Sequence, residues 1–285
     1  MTENRKVVIV TDSSCDLSDE QLDSFGIRMV SLRVTCQNAE YRDRVEISQD
    51  ELYALLEKEL PKTSLPLPED VSALYETLVA EGTTDIVHLC ISSGLSGTYN
   101  MVRMIADDYK DRMNVRVVDS KTLSTGLGMM VLTVCNALQD GSSIEEAIEK
   151  AMVVRENQQA TFIIRTLEFL RKGGRIGLVE GMLGSLLQLK PVIFVNDDGI
   201  YETLAKARGY KSAIDTMVQE AVKKFGQKKI NLSVVHGRAL EDAQVLLERL
   251  KTTLNIADSF IRPVSPVLAI HTGPGLLGII ANLVE

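Results

Sequence analysis

Short apolar runs alternate with segments of helical periodicity through the first half of the chain. An apolar run of four to eight residues favours a buried strand, whereas apolar residues spaced by three and four favour a helix with one buried face. The strands predicted in this way are residues 7–10, 27–34, 85–91 and 115–118. Because strands that alternate with helices build a mainly parallel sheet, the pattern predicts a doubly wound α/β domain.

Two helix starts are visible in the first fifty residues. Ser18 is followed three residues later by Gln21, and Ser48 is followed at the same spacing by Glu51. In a capping box the serine hydroxyl accepts from the third helical N–H, and the glutamine or glutamate side chain accepts from the backbone N–H of the serine. Both segments are therefore predicted to begin helices.

The second half of the chain has a different pattern. Apolar segments at residues 191–195 and 200–206 flank Asn-Asp-Asp-Gly at residues 196–199, which is typical of the turn of an antiparallel hairpin. Further along, helical segments near residues 210–225 and 241–250 bracket an apolar strand. This half is predicted to be an α+β domain with a mixed or antiparallel sheet.

We place the boundary between the two halves after the helical segment that ends near residue 157. The predicted organisation is an N-terminal α/β domain over residues 1–157 and a C-terminal α+β domain over residues 158–285. A chain of 285 residues with 45% hydrophobic residues is long enough for two ordinary domains with sizeable cores.

Charge and composition exclude several classes of function. The net charge of -8 argues against nucleic acid as a partner, because nucleic-acid-binding proteins usually carry a basic surplus. The first apolar stretch, residues 7–11, is too short for a signal peptide or a spanning helix. We therefore expect a cytoplasmic protein with no stable membrane insertion and at most transient contact with a membrane surface.

Cysteine and glycine spacing argue against metals and nucleotides. The four cysteines are far apart, with no CxxC pair and no histidine at metal spacing, so they are expected to be reduced thiols and no metal site is predicted. Neither GxxxxGK[ST] nor GxGxxG after the first strand is present. A nucleotide cofactor is therefore not expected.

Polar loops follow three of the predicted strands. They are residues 11–14, 92–98 and 119–122, which are rich in Asp, Ser and Thr. In an open parallel sheet, ligands bind outside the carboxyl ends of the strands, so these loops are expected to line one cleft. Asp and Ser also bond to nearby backbone in ordinary turns, so each loop alone has a purely structural explanation as well.

The loop ISSGLSGTY, residues 91–99, is the most informative of the three. It lies where a buried strand passes into a helix, whose first N–H groups lack partners and favour an anion. Gly94 and Gly97 allow the backbone to approach a ligand closely, and Ser96 and Thr98 add hydroxyl donors. The loop predicts an anion site, with helix capping by Ser96 as the alternative.

Other segments carry further candidate side chains. Residues 61–68 contain three prolines and must run extended, which would hold Thr63 and Ser64 in place or merely connect two helices. His271 ends an apolar stretch before a glycine turn, and we consider it the best candidate among the histidines. Arg175 lies in a glycine-rich turn, where it would pair with an anion or close a helix.

Ser96 and His271 also suggest a nucleophile and its base. The sequence GLSGT matches the nucleophile elbow GxSxG until its last position, which is Thr98 rather than glycine. An acyl-ester hydrolase therefore lacks a complete motif but remains an alternative. A sensor of a phosphate ligand, bound by the loop of residues 92–98, is the second alternative.

Six short motifs give the chain a family resemblance that extends over nearly its whole length. In order, they are VTDSSCDL, KTSLPLP, ISSGLSGTYN, VVDSKTLSTGLG, RKGGRIG and HTGPG. In this order they resemble the DegV family of bacterial fatty-acid-binding proteins, and within it the FakB subunits of fatty acid kinase. The resemblance implies a lipid-binding carrier for phospholipid synthesis, not an enzyme, that holds a long-chain fatty acid while a separate ATP-dependent kinase subunit phosphorylates its carboxylate.

The resemblance also implies a set of ligand-binding residues. Thr63 and Ser96 would hydrogen-bond the carboxylate, His271 would join them, and Arg175 and Arg208 would lie near the mouth for binding or kinase docking. The full predicted set is Thr63, Ser64, Ser93, Ser96, Gly97, Thr98, Arg175, Arg208, His271, Thr272 and Gly273. No catalytic residue, metal or cofactor is implied, only the bound fatty acid, whose site would lie between or beside the two domains. The chain departs from the family's usual KTSQP by carrying Leu65 where glutamine is common.

Overall fold

The computed structural model describes residues 5–182 and 189–284. Its strands are β1 (Val7–Asp12), β2 (Arg28–Val30), β3 (Arg33–Thr35), β4 (Glu40–Arg42), β5 (Lys62–Ser64), β6 (Asp85–Cys90), β7 (Asn114–Asp119), β8 (Gln159–Ile163), β9 (Leu189–Val195), β10 (Tyr201–Arg208), β11 (Ile230–Gly237), β12 (Ile256–Pro263) and β13 (Leu276–Leu283). Its α-helices are α1 (Asp19–Ser24), α2 (Gln49–Leu56), α3 (Pro68–Ala80), α4 (Thr98–Asp107), α5 (Ser124–Gln139), α6 (Ile144–Asn157), α7 (Glu168–Lys172), α8 (Tyr210–Phe225), α9 (Leu240–Thr253) and α10 (Pro266–Thr272). Ser13–Cys15 and Gly177–Met182 form short 3₁₀ segments.

The N-terminal half is built on a parallel sheet with helices on both faces. The strand order is β2-β1-β6-β7, and the neighbouring strands run parallel. One face packs against α3 and α4, and the other packs against α1, α5 and α6. The predicted doubly wound α/β sheet is confirmed.

The apolar run at residues 27–34 does not form one strand, so this part of the prediction was wrong. Residues of β2 pair with β1 in the parallel sheet, whereas β3 pairs with β4 and β5 in a separate antiparallel sheet of three strands. Between them, the Leu32 N–H donates to Ser13 Oγ at 3.1 Å and the Leu32 carbonyl accepts from the Asp43 N–H at 2.9 Å. These bonds turn the chain out of one sheet and into the next.

The two predicted helix starts are confirmed. Ser18 and Gln21 form a reciprocal capping box at α1, and Ser48 and Glu51 form another at α2. Both boxes pair backbone N–H groups that would otherwise lack partners.

The C-terminal half is built on a mixed sheet in the order β10-β9-β8-β13-β11-β12. β11 and β12 run parallel, and the other neighbouring pairs run antiparallel. The predicted hairpin is present as β9 and β10, and its turn closes with a bond from the Gly199 N–H to the Asn196 carbonyl at 2.9 Å. Gly199 has φ +77°, which favours glycine.

The two halves share an apolar core. Helices α8 and α9 cover one face of the mixed sheet, and the opposite face packs against α10 and residues of the N-terminal half. Val34 of the small sheet and Leu268 of α10 belong to this shared core together with Ile280 of β13. Any ligand that enters it contacts both halves.

Within the described residues, no helix combines the length and the apolar character needed to cross a membrane.

Candidate functional site

Thr63 and His271 meet at the junction of the two halves. Thr63 lies in the middle of β5, opposite Val34 of β3, and His271 lies in the last turn of α10. Thr63 Oγ1 and His271 Nε2 are 2.8 Å apart, although the residues are separated by 208 positions in sequence. α10 ends directly after this turn because Gly273 adopts φ +70°.

The surroundings of His271 keep its imidazole neutral. Burial lowers the pKa of His271 to about 3, and the positive charge of Arg175 contributes in the same direction. In the described part of the chain, the Nδ1 atom of His271 has no hydrogen-bond partner. Gly173 packs so closely on this nitrogen that a Cβ atom at position 173 would collide with it. The ring is therefore fixed on both sides, by Thr63 and by Gly173.

The serine-rich loop approaches the same point from β6. Ser96 Oγ lies 2.8 Å from Thr98 Oγ1 and accepts a longer bond, 3.3 Å, from the Thr98 N–H. Gly97 occupies the N-cap position of α4, with no side-chain capping bond. Ser96 thus stabilises the start of α4 without being its N-cap residue. Leu65 packs against Gly97, where a larger residue would crowd it.

Arg175 supplies the positive charge of this region. Its guanidinium donates to the Leu95 carbonyl at 3.2 Å and to the Gly173 carbonyl at 2.7 Å. These bonds connect the serine-rich loop to the end of α7, beside His271. One guanidinium, a neutral imidazole and several hydroxyls form a site with a single full positive charge, which matches one carboxylate.

Two small cavities continue from these polar groups into the shared core. The first, of about 30 Å³, has a polar end formed by Thr63, Ser64, Ser96, Arg175 and His271. The second, of about 40 Å³, is mostly apolar. Its lining residues are Leu123, Ser124, Ala160, Thr161, Phe162, Val195, Tyr201, Val235, Val264, Leu268, Thr272, Leu276 and Ile280.

Three residues, Leu123, Tyr201 and Leu268, line both cavities. They stand between the polar end and the apolar interior. None of the three is recognisable from the sequence, because an apolar residue carries no signal that separates a ligand-lining position from ordinary core. Only the way the two halves meet identifies them.

Comparison with known proteins agrees with this architecture. The sequence model of the DegV family, described as a family of uncharacterised proteins, matches residues 6–283. The chain belongs to the DegV family. A DegV domain-containing protein of Clostridium acetobutylicum is 36% identical to it over 275 residues, which cover 96% of this chain and 98% of that relative.

Solved structures of DegV proteins have the same fold. A fatty-acid-binding DegV family protein from Thermus thermophilus superposes with a TM-score of 0.90 at 34% identity, covering 98% of this chain and 100% of that one. A stearic-acid-binding protein from Eubacterium ventriosum gives a TM-score of 0.88 at 29% identity, covering 96% and 97%. The resemblance to the DegV family is confirmed, whereas the closer resemblance to FakB subunits stays a prediction.

In this DegV protein, the three polar loops predicted to line a cleft do come together, but they bond mainly to one another. The Ile91 N–H donates to the buried Asp12 carboxylate at 2.6 Å, and the Ser92 N–H donates to the Thr122 carbonyl at 2.9 Å. These bonds hold the ends of β1, β6 and β7 together. Ser96 lies further along its loop and lines the first cavity.

Ser93 lies on the side of the loop that faces β7. Its N–H donates to Asp119 Oδ1 at 3.0 Å, and its Oγ accepts from the Lys121 ammonium at 3.0 Å. The ammonium also pairs with the Asp119 carboxylate at 3.0 Å. Ser93 is not among the residues that line either cavity.

Of the remaining predicted residues, Thr272 and Gly273 lie at the end of α10, whereas Arg208 lies away from the site. Thr272 lines the apolar cavity while its hydroxyl donates to the Leu268 carbonyl, and Gly273 packs against the Phe169 ring. Arg208 is exposed at the far end of β10, about 23 Å along the strand from Tyr201. The structure brings Thr63, Ser64, Ser96, Arg175 and His271 together and leaves Arg208 outside this group.

The geometry gives no support to Ser96 and His271 as a nucleophile and base. The Nε2 atom of His271 bonds to Thr63, and Ser96 Oγ bonds to Thr98. Among residues 5–182 and 189–284, no hydrogen bond joins Ser96 to His271. The same range contains no cluster of His, Cys, Asp and Glu able to hold a metal ion.

Proposed function

We propose that this DegV protein binds a long-chain fatty acid, with the carboxylate at Thr63, Ser96 and His271 and the acyl chain in the core shared by the two halves. The observation that carries the proposal is that a cavity with a polar end lies next to an apolar one, with Leu123, Tyr201 and Leu268 lining both. A fatty-acid-binding DegV family protein and a stearic-acid-binding protein of the same fold support it.

The hydrogen-bond chain at the polar end is suited to a carboxylate. A neutral imidazole has one N–H donor. When that donor is Nε2–H, it donates to Thr63 Oγ1 and leaves the Thr63 hydroxyl proton available for a carboxylate oxygen. The charge of Arg175 then offsets the negative charge of the ligand.

The acyl chain supplies most of the affinity in this proposal. Each methylene removed from water contributes about 0.8 kcal/mol. Each cavity has about the volume of one or two water molecules, so a long chain fits only when the side chains between the cavities move apart. Part of the gain from burying the chain is therefore spent on opening the core.

We further propose that the protein is a carrier in the cytoplasm and presents the bound carboxylate to a separate ATP-dependent kinase subunit, which forms the acyl phosphate. The family resemblance supports this step. The position of the head group supports it as well, because Ser64 and Lys62 at this end of the site are exposed to solvent.

The first test is lipid extraction. Protein purified from cells is denatured, extracted with organic solvent and analysed by mass spectrometry, and lipid-free protein is titrated with stearate. A stoichiometric fatty acid, or saturable stearate binding, is the expected result. An empty extract together with no stearate binding contradicts the proposal.

The kinase step has a separate test. Stearate-loaded protein is incubated with ATP and the catalytic subunit of a fatty acid kinase, and acyl phosphate is trapped with hydroxylamine. We expect hydroxamate only when both proteins and ATP are present. Stearate binding without formation of hydroxamate would support fatty-acid binding and contradict the proposal of a kinase partner.

A further inference from the structure

The helix that carries His271 is held at its other end by two buried carboxylates of the N-terminal half. Asp16 Oδ1 accepts from the Ser265 N–H at 2.9 Å, and Asp43 Oδ1 accepts from the Val267 N–H at 3.1 Å. Asp16 is 4% exposed and Asp43 is fully buried. Both bonds cross between the halves, with 249 and 224 residues separating the partners.

α10 is built to carry a displacement from its first residues to the ligand site. It has seven residues, so it is about 10 Å long, and every residue in it is buried. Val267 and His271 are four positions apart and lie on one face of the helix. Leu268, one residue after the Asp43 contact, lines both cavities.

Asp16 also touches the wall of the apolar cavity. Its second oxygen accepts from the Ser124 hydroxyl, and Ser124 lines that cavity at the start of α5. The carboxylate thus joins the start of α5 to the N-cap residue of α10.

We propose that Asp16 and Asp43 are positioning residues for the fatty-acid head group, acting through α10 on His271. The proposal rests on the proposed function, since it assigns these carboxylates a role in holding the residue that contacts the ligand. Ionised carboxylates only accept hydrogen bonds, and they are favoured beside the positive end of the helix dipole. The hydrogen bonds that hold the start of α10 are therefore strongest when Asp16 and Asp43 are both ionised.

The proton occupancy of this pair changes near neutral pH. Burial raises the pKa of Asp16 to about 6 and that of Asp43 to about 7, and the Arg44 guanidinium opposes both shifts. The charged and titratable groups around the pair are Asp12, Cys15, Asp19, Arg44, Glu46, Glu51 and Arg262. We expect stearate to be held more tightly above these pKa values than below them.

The test compares D16N and D43N with S143A, which removes the capping box of α6 and does not touch α10. Stearate dissociation constants are measured near pH 6 and near pH 8, and the ring nitrogens of His271 are followed by ¹⁵N NMR without ligand. We expect D16N and D43N to raise the dissociation constant about tenfold at the higher pH and to shift the His271 signals. The difference between the stearate dissociation constants near pH 6 and near pH 8 should be smaller in both variants than in the wild type.

The outcomes separate the two proposals. Unchanged His271 signals and unchanged stearate affinity in folded D16N and D43N would overturn the positioning role. The same holds if S143A, at a matched loss of melting temperature, changes the His271 signals and the stearate affinity as much as D16N and D43N do. If the wild type does not bind stearate, the proposed function fails, and the His271 spectra still decide whether the carboxylates position α10. Circular dichroism shows which variants are folded. If only one of D16N and D43N folds, that variant is sufficient for the test.

Discussion

At the scale of single residues, the site depends on contacts that leave His271 no freedom. Thr63 bonds to Nε2, Gly173 packs on Nδ1, and burial keeps the ring neutral. The family motifs predicted that Thr63 and His271 contact the same carboxylate, but the direct bond between the two side chains could not be predicted from either segment. The bond from Arg175 to the Gly173 carbonyl, at the C-cap of α7, corresponds to the predicted alternative of closing a helix, whereas its bond to the Leu95 carbonyl had no signal in the sequence.

Removing the Thr63 hydroxyl tests the head-group site with little change in shape. In Thr63→Val the carboxylate of the proposed ligand loses a hydrogen-bond donor, and His271 loses its hydrogen-bond partner. We therefore expect stearate affinity to fall about tenfold. Displacement of a fluorescent fatty acid by stearate measures this. Thr77→Val is the control, since the Thr77 hydroxyl bonds only to the Ala73 carbonyl on the exposed side of α3. Equal affinities of the two variants would contradict the assignment.

His88 gives a separate prediction on pH. It is fully buried in β6, its Nδ1 lies 2.8 Å from the Tyr75 hydroxyl, and burial lowers its pKa from 6.5 to about 3. Only the unfolded chain takes up a proton between these values. The stabilisation that His88 provides is therefore complete above pH 6.5 and is lost progressively as the pH falls towards 3.

His88→Gln removes this titration. We expect the free energy of unfolding of the wild type to exceed that of the variant most at neutral pH, with the difference shrinking as the solution is acidified. Urea unfolding at a series of pH values measures the difference. A difference that stays constant from neutral pH to about pH 4 would show that burial does not perturb His88.

At the scale of elements, local signals were predictable and non-local ones were not. The capping boxes at Ser18 and Ser48 depend on four consecutive residues, and the hairpin turn depends on its own sequence, so both could be predicted. The apolar run at residues 27–34 conceals a change of sheet, because the bonds that cause it come from Ser13 and Asp43, outside the run. Apolar character predicts burial without specifying the partner strand.

The close approach of α7 to α10 gives an element-scale prediction. Gly173 ends α7 with φ −78°, which alanine also adopts, so any effect of Gly173→Ala comes from collision with the His271 ring. We expect a loss of stability of about 1–3 kcal/mol and weaker stearate binding. Thermal unfolding and stearate titration measure the two effects.

Gly181→Ala is the matched control, because a Cβ at position 181 meets no atom of residues 5–182 and 189–284 within 4 Å. It should leave both the melting temperature and stearate affinity near the wild-type values. If Gly173→Ala behaves in the same way, the packing of α7 on His271 does not constrain the site.

At the scale of the whole molecule, the proposed ligand lies between the halves. The parallel sheet contributes Ser96 through its loop, the small sheet contributes Thr63, and the mixed sheet contributes Tyr201 and much of the apolar wall. The family motifs predicted the polar end because its residues have distinctive chemistry. A lipid site between or beside the two domains was predicted, but the apolar residues that line it were not, because they come together only where the two halves meet.

Filling the apolar cavity should shorten the acyl chain that fits. Ala160 lines this cavity from β8, and Ala160→Leu adds bulk there. We expect weaker binding of stearate with little change for octanoate, because only the longer chain reaches deep into the core. Competition between the two acids measures the preference. An equal loss of affinity for stearate and octanoate would show that the acyl chain does not occupy this cavity.

The position of β13 has a consequence for the order of events during synthesis. This strand, residues 276–283, lies between β8 and β11, so it joins the two parts of the mixed sheet. A nascent chain that has left the ribosome as far as β12 holds Thr63 and Ser96 but lacks both His271 and the strand that completes the wall behind it. Contacts so distant in sequence form late. Under the proposed function, loading with lipid would therefore wait until translation has delivered these last segments.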